Sequence, residues 1–316
     1  MKYISTNKMD HQKWLDLRRG YIGASDAGAV LGFNPYRSAV DVYLDKIGQS
    51  DNLDDNLSML IGREMEPTIK KLFEDYENVK VRNDNKIRID DQYEFLGTNL
   101  DGVVVGETVP VEYKTAAVWD EIPDYYFCQI QHQMMVTGAE DCYLAVLVLG
   151  RNKQFIVEKV KRVDNFVDGM KNHLVSFWND NVLKQIPPQP ESLKDAKKLY
   201  ISTDPDSIVD ANEEVFSEYL KLNALNKQKS EVEHDISLTK KNIMIFMQDK
   251  EVVERGGIPI VTWKKSKDIR RFDRKRFSLE QPDTYKKYIT TKEGNRRFLL
   301  KDVEPVFAAL EGERDE

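Results

Sequence analysis

The sequence predicts an α/β core followed by a long helical arm and a small basic α+β tail. The chain begins with segments whose apolar residues have the spacing of a helix, and strand-like segments follow between residues 79 and 149. Past a proline-rich break, residues 211–247 form one amphipathic stretch rich in Glu, Lys and Leu. The order helix, strands, helix, strand is typical of an α/β core, and the later stretch is too long for an ordinary globular helix.

The composition argues against a secreted protein, a membrane protein and a protein with a disulfide or a cysteine metal site. The chain has 316 residues, a formal net charge of -7 and a sequence pI near 5.4, with no stretch as long and apolar as a membrane span. Met1 is not followed by an apolar run, so we expect neither secretion nor membrane insertion, and a cytoplasmic location. Cys128 and Cys142 form no C-x-x-C pair, and we expect buried free thiols rather than a disulfide or a metal site.

The N-terminal third reads as helices. Periodicity predicts a first helix over 11–18 and a second that begins with Ser25 as its cap. The stretch "NPYRSAVDVYLDKIG" predicts a turn that leads into a third helix, which ends before Gly48. A longer apolar stripe covers 54–76, where Pro67 either kinks the helix or begins a new one.

The next segments predict the sheet. Strand-like runs cover 79–89, 93–105, 109–115 and 143–149, and a helix over 125–137 separates the last two.

A break at "PPQPES" places a domain boundary after residue 186, because adjacent prolines neither continue a helix nor pair inside a sheet. The predicted domains are therefore 1–186 and 187–316. In the second, a helix over 211–247 could form a coiled-coil arm or dock a protein, and Gly256 and Gly257 are predicted to end it before the strand "IPIVTW".

The tail is strongly basic although the chain is acidic. From Lys264 to Lys301 there are 14 Lys and Arg against 5 Asp and Glu. Such a segment either contacts a polyanion or forms a solvated face that pairs with the acidic body.

The stretch "NLDGVVVGETVPVEYK" predicts a hairpin. If Gly106 and Glu107 form a two-residue turn, Asp101 lies opposite Glu112. Two acids so placed repel each other and need a cation nearby.

The alternation of side chains along a strand puts Glu112 and Lys114 on one face and Val111 and Tyr113 on the other. Two carboxylates suit Mg²⁺ or Mn²⁺, and a lysine beside them can orient water and stabilise charge on a phosphate. Metal-assisted phosphodiester hydrolysis is therefore one interpretation. The other is an exposed hairpin whose acids form ordinary salt bridges with the lysine.

Three further side chains are candidates for the same site. Glu66 points toward the core side of its helix, where it either completes a metal shell or bonds amides near Pro67. Gln129 and Gln133 share a helix face and either anchor a phosphate or metal ligand, or satisfy backbone groups.

Taken in order, the segments "WLDLRRGYIGASDAGAVLG", "NPYRSAVDVYLDKIG", "GREMEP", "LDG", "VEYK" and "QIQHQMMVTG" resemble the YqaJ-type viral recombinases. These are relatives of phage lambda exonuclease in the PD-(D/E)xK nuclease superfamily. The resemblance implies a restriction-endonuclease-like core, a central mixed sheet flanked by helices, over about the first 185 residues. It also implies a Mg²⁺-dependent exonuclease that digests the 5′ strand at double-stranded DNA ends and leaves a 3′ tail.

The resemblance also assigns roles to residues. It makes Asp101, Glu112 and the Tyr113 carbonyl metal ligands and Lys114 the catalytic lysine. Glu66 corresponds to the helix acid of the site, and Gln129 to the glutamine of the next helix. Leu100 stands where the superfamily has the proline that gives it its name, which weakens the motif more than its chemistry, because that proline is not a ligand.

The family's 5′-phosphate pocket has an arginine and a serine seven positions later, and Arg18 and Ser25 match that spacing. A guanidinium and a helix-start hydroxyl are reasonable anion donors. The alternative is that Ser25 only caps its helix, and the neighbouring acid Asp26 keeps that alternative open.

The resemblance implies partners as well: DNA ends with a 5′ phosphate, a RecT-like single-strand annealing protein and a ring-shaped homo-oligomer, often a trimer. A phage or prophage origin follows from the same family. Two other functions remain open, a junction resolvase of the same superfamily and a non-catalytic DNA-end scaffold. The side chains that could contact DNA are Gln131, Lys264, Lys265, Arg270, Arg271, Arg274 and Arg276.

Overall fold

The computed structural model describes residues 2–7, 9–50, 56–291, 294–305 and 307. The chain divides into two compact units, Met1–Tyr200 and Ile201–Glu316. The first unit extends beyond the predicted boundary at residue 186 because a short helix, Leu193–Leu199, is tied back to it. In that helix Asp195 accepts a hydrogen bond from Ser38 at 2.7 Å.

The first unit contains six strands and seven helices within the described residues. The strands are β1 (Lys2–Ser5), β2 (Val81–Ile89), β3 (Gly97–Val104), β4 (Pro110–Ala116), β5 (Asp141–Val148) and β6 (Gln154–Lys161). The helices are α1 (His11–Arg19), α2 (Ala24–Val30), α3 (Ala39–Lys46), α4 (Leu57–Glu77), α5 (Asp124–Thr137), α6 (Asp164–Ser176), which continues as a π-helical turn over Phe177–Val182, and α7 (Leu193–Leu199).

These strands form one mixed sheet in the order β1-β2-β3-β4-β5-β6. Neighbouring strands are antiparallel except β4 and β5, which are parallel. A parallel pair needs a crossover, and α5 lies in the connection between these two strands. The predicted α/β core, a central mixed sheet flanked by helices, is confirmed.

Packing against α4 and α5 fixes which way the β4 side chains point. Ile69 and Phe73 of α4 pack against one face of the sheet, where Val111 and Tyr113 lie. On α5, Ile130 and Met134 pack against Leu144 and Val146 of β5. Because these β5 residues pair with Glu112 and Lys114, the polar side chains of β4 lie on the α5 face.

Several local predictions were wrong. Gly23, not Ser25, caps α2, and Asp26 accepts the Gly23 amide at 3.0 Å. Of the two alternatives at Pro67, a new helix is not seen, because α4 is one helix from Leu57 to Glu77 with Pro67 inside it. The strands β1 and β6 and the helices α6 and α7 were not predicted.

The second unit contains α8 (Glu213–Met247), the hairpin β7 (Val252–Arg255) and β8 (Ile258–Thr262), α9 (Arg274–Glu280) and α10 (Pro282–Lys287). The long helix is present as predicted, and at 1.5 Å per residue it is about 52 Å long. Gly256 and Gly257 do not end it. They form the turn between β7 and β8, where both have positive φ, as a type I′ turn requires.

The described residues contain no helix with the length and apolar character needed to cross a membrane.

Candidate active site

The site begins at the hairpin of β3 and β4. Gly102 pairs with Val111 and Val103 with Pro110, so Asp101 and Glu112 are the next residues in the predicted register. Backbone pairing stops there. Instead, the Tyr113 amide donates to Asp101 Oδ2 at 2.9 Å, so the carboxylate takes the place of a ladder acceptor and is held against the strand that carries Glu112.

The turn that joins these strands differs from the prediction. Glu107 N donates to Val104 O at 3.2 Å, so Val105 and Gly106 are the central residues rather than Gly106 and Glu107. Gly106 has φ +88° at the second central position, which is the requirement of a type II turn. Val104 N also donates to Val109 O, which restores the register that the shorter turn was expected to give.

Glu112 is the centre of the site. Its side chain is buried, with a residue exposure of 3%. Lys114 Nζ and Gln129 Nε2 each lie 2.5 Å from its Oε1, and Gln133 Nε2 lies 2.5 Å from its Oε2. A buried carboxylate needs such partners, and of the two open interpretations of the glutamines, holding this acid is the one the contacts favour.

Asp101, Glu112 and Lys114 are close enough for the charge of one group to change the pKa of another. Burial and then the nearby Glu112 carboxylate raise the pKa of Asp101 well above its usual value. Burial alone would lower the pKa of Lys114, but Glu112 and Asp101 outweigh that effect and raise it. Lys114 therefore stays a charged donor, and its Nζ also lies 4.9 Å from the Tyr126 ring centroid, a cation-π contact that the sequence did not indicate.

Glu66 reaches the same site from α4. Burial and then Glu112 raise the pKa of this half-buried acid, while Lys114 and Arg63 lower it. Glu66 also raises the pKa of Asp101. Three acids and one lysine thus share one electrostatic environment, although they come from a helix and two strands.

Tyr113 contributes its backbone on one side and a buried ring on the other. Its hydroxyl has no hydrogen-bond partner among the residues that the structure describes. A Cβ on Gly102 would lie 2.9 Å from that hydroxyl and even closer to Val81, so only glycine lets the ring pack beneath the hairpin. Gly102 thereby allows the close packing that keeps Asp101 and Glu112 in register.

The donor set fits a hard cation. Carboxylate oxygens of Asp101 and Glu112 and the Tyr113 carbonyl are the oxygen ligands that Mg²⁺ accepts, and Mg²⁺ usually takes only one or two carboxylates and keeps several waters. Burial is the main cause of the raised pKa of Asp101, and the Glu112 and Glu66 carboxylates add to it, so a cation bound there would be attracted by several negative charges. Within the described part of the chain, no three Asp, Glu, His or Cys side chains are close enough to form a complete metal cage.

A second cluster lies at the start of α2. Arg18 Nη2 donates to Ser25 Oγ at 2.7 Å, so the two residues predicted for the phosphate pocket do meet. Ser25 is exposed, and Arg18 lies 5.3 Å above the ring of Trp14. The pair therefore presents a hydroxyl and a guanidinium to solvent.

Asp26, the acid beside this pair, has its charge compensated by two cations of the same unit. Asp26 is buried, and it is bonded by Arg37 and by Lys46 Nζ at 2.8 Å, whereas Arg18 lies 3.7 Å away. Burial alone would raise the pKa of Asp26, but Lys46, Arg37 and Arg18 hold it well below its usual range. Lys46 and Arg37 were not predicted for this site, because no local spacing in the sequence connects them to Asp26.

Gln131 cannot contact DNA in this structure, contrary to the prediction. Its side chain is fully buried, its Nε2 donates to Lys161 O at 2.8 Å, and its Oε1 accepts from Val163 N at 2.9 Å. It lies two residues from Gln129 and therefore on another side of α5. His132 is buried too, and burial lowers its pKa to about 4, in keeping with a structural role.

The predicted DNA contacts of the tail lie in the second unit, and all six are exposed: Lys264, Lys265, Arg270, Arg271, Arg274 and Arg276. Two have partners of their own. Arg274 Nε donates to Tyr285 Oη at 2.6 Å, and Arg276 Nε to Glu280 Oε1 at 2.7 Å. Beside these basic residues, the rings of Phe272 and Phe277 lie 4.9 Å apart between centroids, and Phe272 is still largely exposed.

Comparison with known proteins gives the following similarities. A family model described as the YqaJ-like viral recombinase domain matches residues 13–140. YqaJ of Bacillus subtilis (strain 168) is 31% identical over 314 residues, which covers 94% of this chain and 96% of that protein.

Two solved structures are similar over part of the chain. An alkaline exonuclease (LHK-Exo) from Laribacter hongkongensis has 20% identity and a TM-score of 0.48, covering 55% of this chain and 94% of that one. A phage-related exonuclease from Haemophilus somnus 129PT has 13% identity and a TM-score of 0.40, covering 55% and 99%.

Proposed function

Because this chain belongs to the YqaJ-like viral recombinase family, we propose that it is a nuclease, and specifically a metal-dependent exonuclease that acts at DNA ends. It digests the 5′ strand of a duplex, releases 5′-phosphomononucleotides and leaves a 3′ single-stranded tail. It does so in the cytoplasm of a bacterial host, where a phage-type recombination by strand annealing uses such tails.

One observation carries the proposal. Asp101 and Glu112 are adjacent in the hairpin register, and Lys114 Nζ lies 2.5 Å from Glu112. An exposed hairpin with ordinary salt bridges would not bury Glu112 or hold it with two glutamines. A buried acid pair with raised pKa at one member is more typical of a functional site than of a solvated surface.

Asp101, Glu112 and the Tyr113 carbonyl would hold Mg²⁺, for which Mn²⁺ could substitute, and the cation would supply positive charge to the phosphate and lower the pKa of a water. Lys114 is charged because its pKa is raised, so it donates hydrogen bonds to the attacking water or to a phosphate oxygen and does not take a proton. Gln129 and Gln133 keep Glu112 oriented.

Arg18 and Ser25 would bind the 5′ phosphate. A guanidinium and a hydroxyl, already 2.7 Å apart, can both donate to one anion, and a guanidinium does so bidentately. The internal neutralisation of Asp26 supports this role, because Lys46 and Arg37 compensate the acid and leave Arg18 to face the ligand. Recognition of the 5′ phosphate would select DNA ends and set the direction of digestion.

Family membership also supports two proposals about partners. The single-stranded tail would pass to a RecT-like annealing protein, and the enzyme would act as a homo-oligomer, with a ring-shaped trimer as the expected form. The exposed basic residues of the second unit would contact the sugar-phosphate backbone.

The test is digestion of a linear duplex labelled at either the 5′ or the 3′ end, in Mg²⁺ or in EDTA. We expect mononucleotides from the 5′ strand, only with metal, and faster when that end carries a phosphate. Glu112→Gln should abolish release. Glu107→Gln is the matched control, because Glu107 is an exposed acid in the turn of the same hairpin and should keep full activity.

Other outcomes would separate the alternatives. Equal cutting of a covalently closed circle would overturn the exonuclease proposal in favour of a structure-selective endonuclease such as a junction resolvase. Binding of DNA ends with no nucleotide released in Mg²⁺ would indicate a non-catalytic scaffold.

A further inference from the structure

The long helix α8 carries an apolar stripe whose middle is exposed in the part of the chain that the structure describes. Toward its two ends, Leu222 and Ile243 are half-buried, and Met247 at the last turn is buried. Near its start, Tyr219 Oη donates to the carbonyls of Lys301 and Asp302 at 3.3 and 3.1 Å. Further along, the exposed fraction is 51% for Leu225, 56% for Val232 and 47% for Ile236, and it reaches 77% for Phe246. A row of exposed apolar side chains of this kind marks an interaction surface.

The stripe has the spacing of a coiled coil. Its positions alternate between steps of three and four residues: Leu222, Leu225, Lys229, Val232, Ile236, Thr239, Ile243 and Phe246. Such a heptad pattern keeps one seam of the helix facing a partner helix. Only Lys229 and Thr239 are polar in this row. Leu238, Met244 and Ile245 lie off the seam and take no part in it.

The two polar positions indicate which partner fits. In an antiparallel pair of identical helices, a residue at one of the two apolar heptad positions packs against a residue at the other position of the second copy. The residue numbers of two facing residues therefore always add up to the same value. One register brings Lys229 opposite Thr239 of the second copy. In that same register every remaining layer is apolar on both sides: Leu222 with Phe246, Leu225 with Ile243, and Val232 with Ile236.

Other arrangements of the same helix are less favourable. A parallel pair in register places Lys229 against Lys229 of the second copy, which repels. Shifting the antiparallel pair by one heptad in either direction places Lys229 against Val232 or Phe246, and the lysine would then face an apolar partner. A single arrangement therefore satisfies both polar positions at once.

Charges at the flanks agree with this register. Glu233 lies beside Lys240 of the second copy, and the pair occurs twice by symmetry. Asp235 meets its own copy on the other flank, a single repulsion between exposed charges that salt screens.

We propose that α8 is a self-association helix that pairs with α8 of a second copy of this chain in an antiparallel coiled coil centred between Val232 and Ile236. This interface is independent of the nuclease proposal. It links two chains through their second units and leaves the residues of the candidate active site unused.

Disulfide trapping in the full-length protein tests the orientation directly. Leu225→Cys and Ile243→Cys proteins, carrying different tags, are purified separately, mixed and oxidised. The native cysteines are both buried and form the background of each variant. We expect a cross-linked heterodimer in the mixture, because Leu225 meets Ile243 across the antiparallel seam.

Oxidation of each variant alone distinguishes the antiparallel from the parallel arrangement. In the antiparallel pair, two copies of position 225 are about 27 Å apart along the axis, from the rise of a helix, and do not cross-link. A parallel coiled coil would cross-link Leu225→Cys with itself. That result, or no cross-linked species in the mixture, would overturn the proposal.

A second measurement uses the mass of the assembly in solution. Val232→Glu should weaken self-association at least tenfold in sedimentation velocity. Ser237→Glu adds the same charge to an exposed position off the seam and should leave association unchanged. Circular dichroism checks that both variants keep the helix. Equal association by Val232→Glu and wild type would show that the seam is not the interface. A monomeric wild type would overturn the proposal as well.

Discussion

Replacing Arg18 with alanine should remove the preference for a 5′-phosphorylated DNA end. The guanidinium donates to Ser25 Oγ at 2.7 Å, and the pair is the anion-binding group in the proposed function. A hydrogen bond to a charged group contributes about 1.5–3 kcal/mol. Because Arg18 is 28% exposed, the lower half of that range is the better guide.

That energy corresponds to a loss of roughly 10- to 150-fold in kcat/KM on 5′-phosphorylated duplexes, with values nearer 10-fold expected. Duplexes with a 5′ hydroxyl should be digested at nearly the wild-type rate, because they offer no phosphate for Arg18 to bind. Ser25→Ala removes a neutral hydroxyl and should cost about 2- to 10-fold on the phosphorylated substrate.

The assay measures nucleotide release from paired substrates that differ only in the 5′ group. Arg19→Ala is the matched control, since Arg19 is the next residue of α1, is 29% exposed and pairs with Asp16 instead of Ser25. Its preference should match wild type. An equal loss for Arg18→Ala on both substrates would refute the phosphate pocket and show a structural role, as would an unchanged preference with full activity.

Three further predictions concern the site and its support. Lys114→Gln should lower kcat at least 100-fold while Mn²⁺ still binds, because the lysine acts on water and phosphate and not on the cation; loss of Mn²⁺ binding would contradict this. Gly102→Ala should destabilise the protein by about 1–3 kcal/mol in urea unfolding, because its methyl would lie 2.9 Å from the Tyr113 hydroxyl. Lys46→Met should cost about 3–5 kcal/mol at pH 7, because it removes the fully buried cation that pairs with buried Asp26. The folded-state pKa of Asp26 is depressed below 3.8, so the stability it contributes is present above about pH 4 and is lost on acidification, and the Lys46→Met deficit should shrink in the same window.

The sequence predicted the elements whose patterns are local. Alternating polar and apolar residues in β4 gave the correct faces for Glu112 and Tyr113, and the register of β3 and β4 followed from the short link between them. The turn itself was misplaced by one residue. Either turn keeps the same register, because the four residues from Val105 to Thr108 lie between Val104 and Val109, which are hydrogen-bonded to each other. The error in the turn therefore did not move Asp101 or Glu112.

Elements that depend on distant contacts were missed. The edge strand β1 pairs only with β2 and its residues are exposed, so it carries no apolar alternation to detect. In α2, Ser25 has the chemistry of a cap, but the helix already begins at Ala24. Its N-cap is Gly23, whose amide donates to Asp26, and Lys46 and Arg37 stabilise this buried carboxylate.

The glutamines of α5 show the limit of spacing arguments. Gln129 and Gln133 are four residues apart and reach one carboxylate, as their shared face indicates. Gln131 is chemically identical, but it faces the start of α6, an element that the sequence did not predict, and its amide is used there.

Mn²⁺ titration followed by electron paramagnetic resonance tests, without any DNA, whether Asp101 and Glu112 hold a divalent cation beside Lys114. Wild-type protein should bind Mn²⁺, Asp101→Asn and Glu112→Gln should each weaken binding at least tenfold, and Glu107→Gln should bind like wild type. Equal Mn²⁺ binding by Asp101→Asn, Glu112→Gln and wild type would contradict the account.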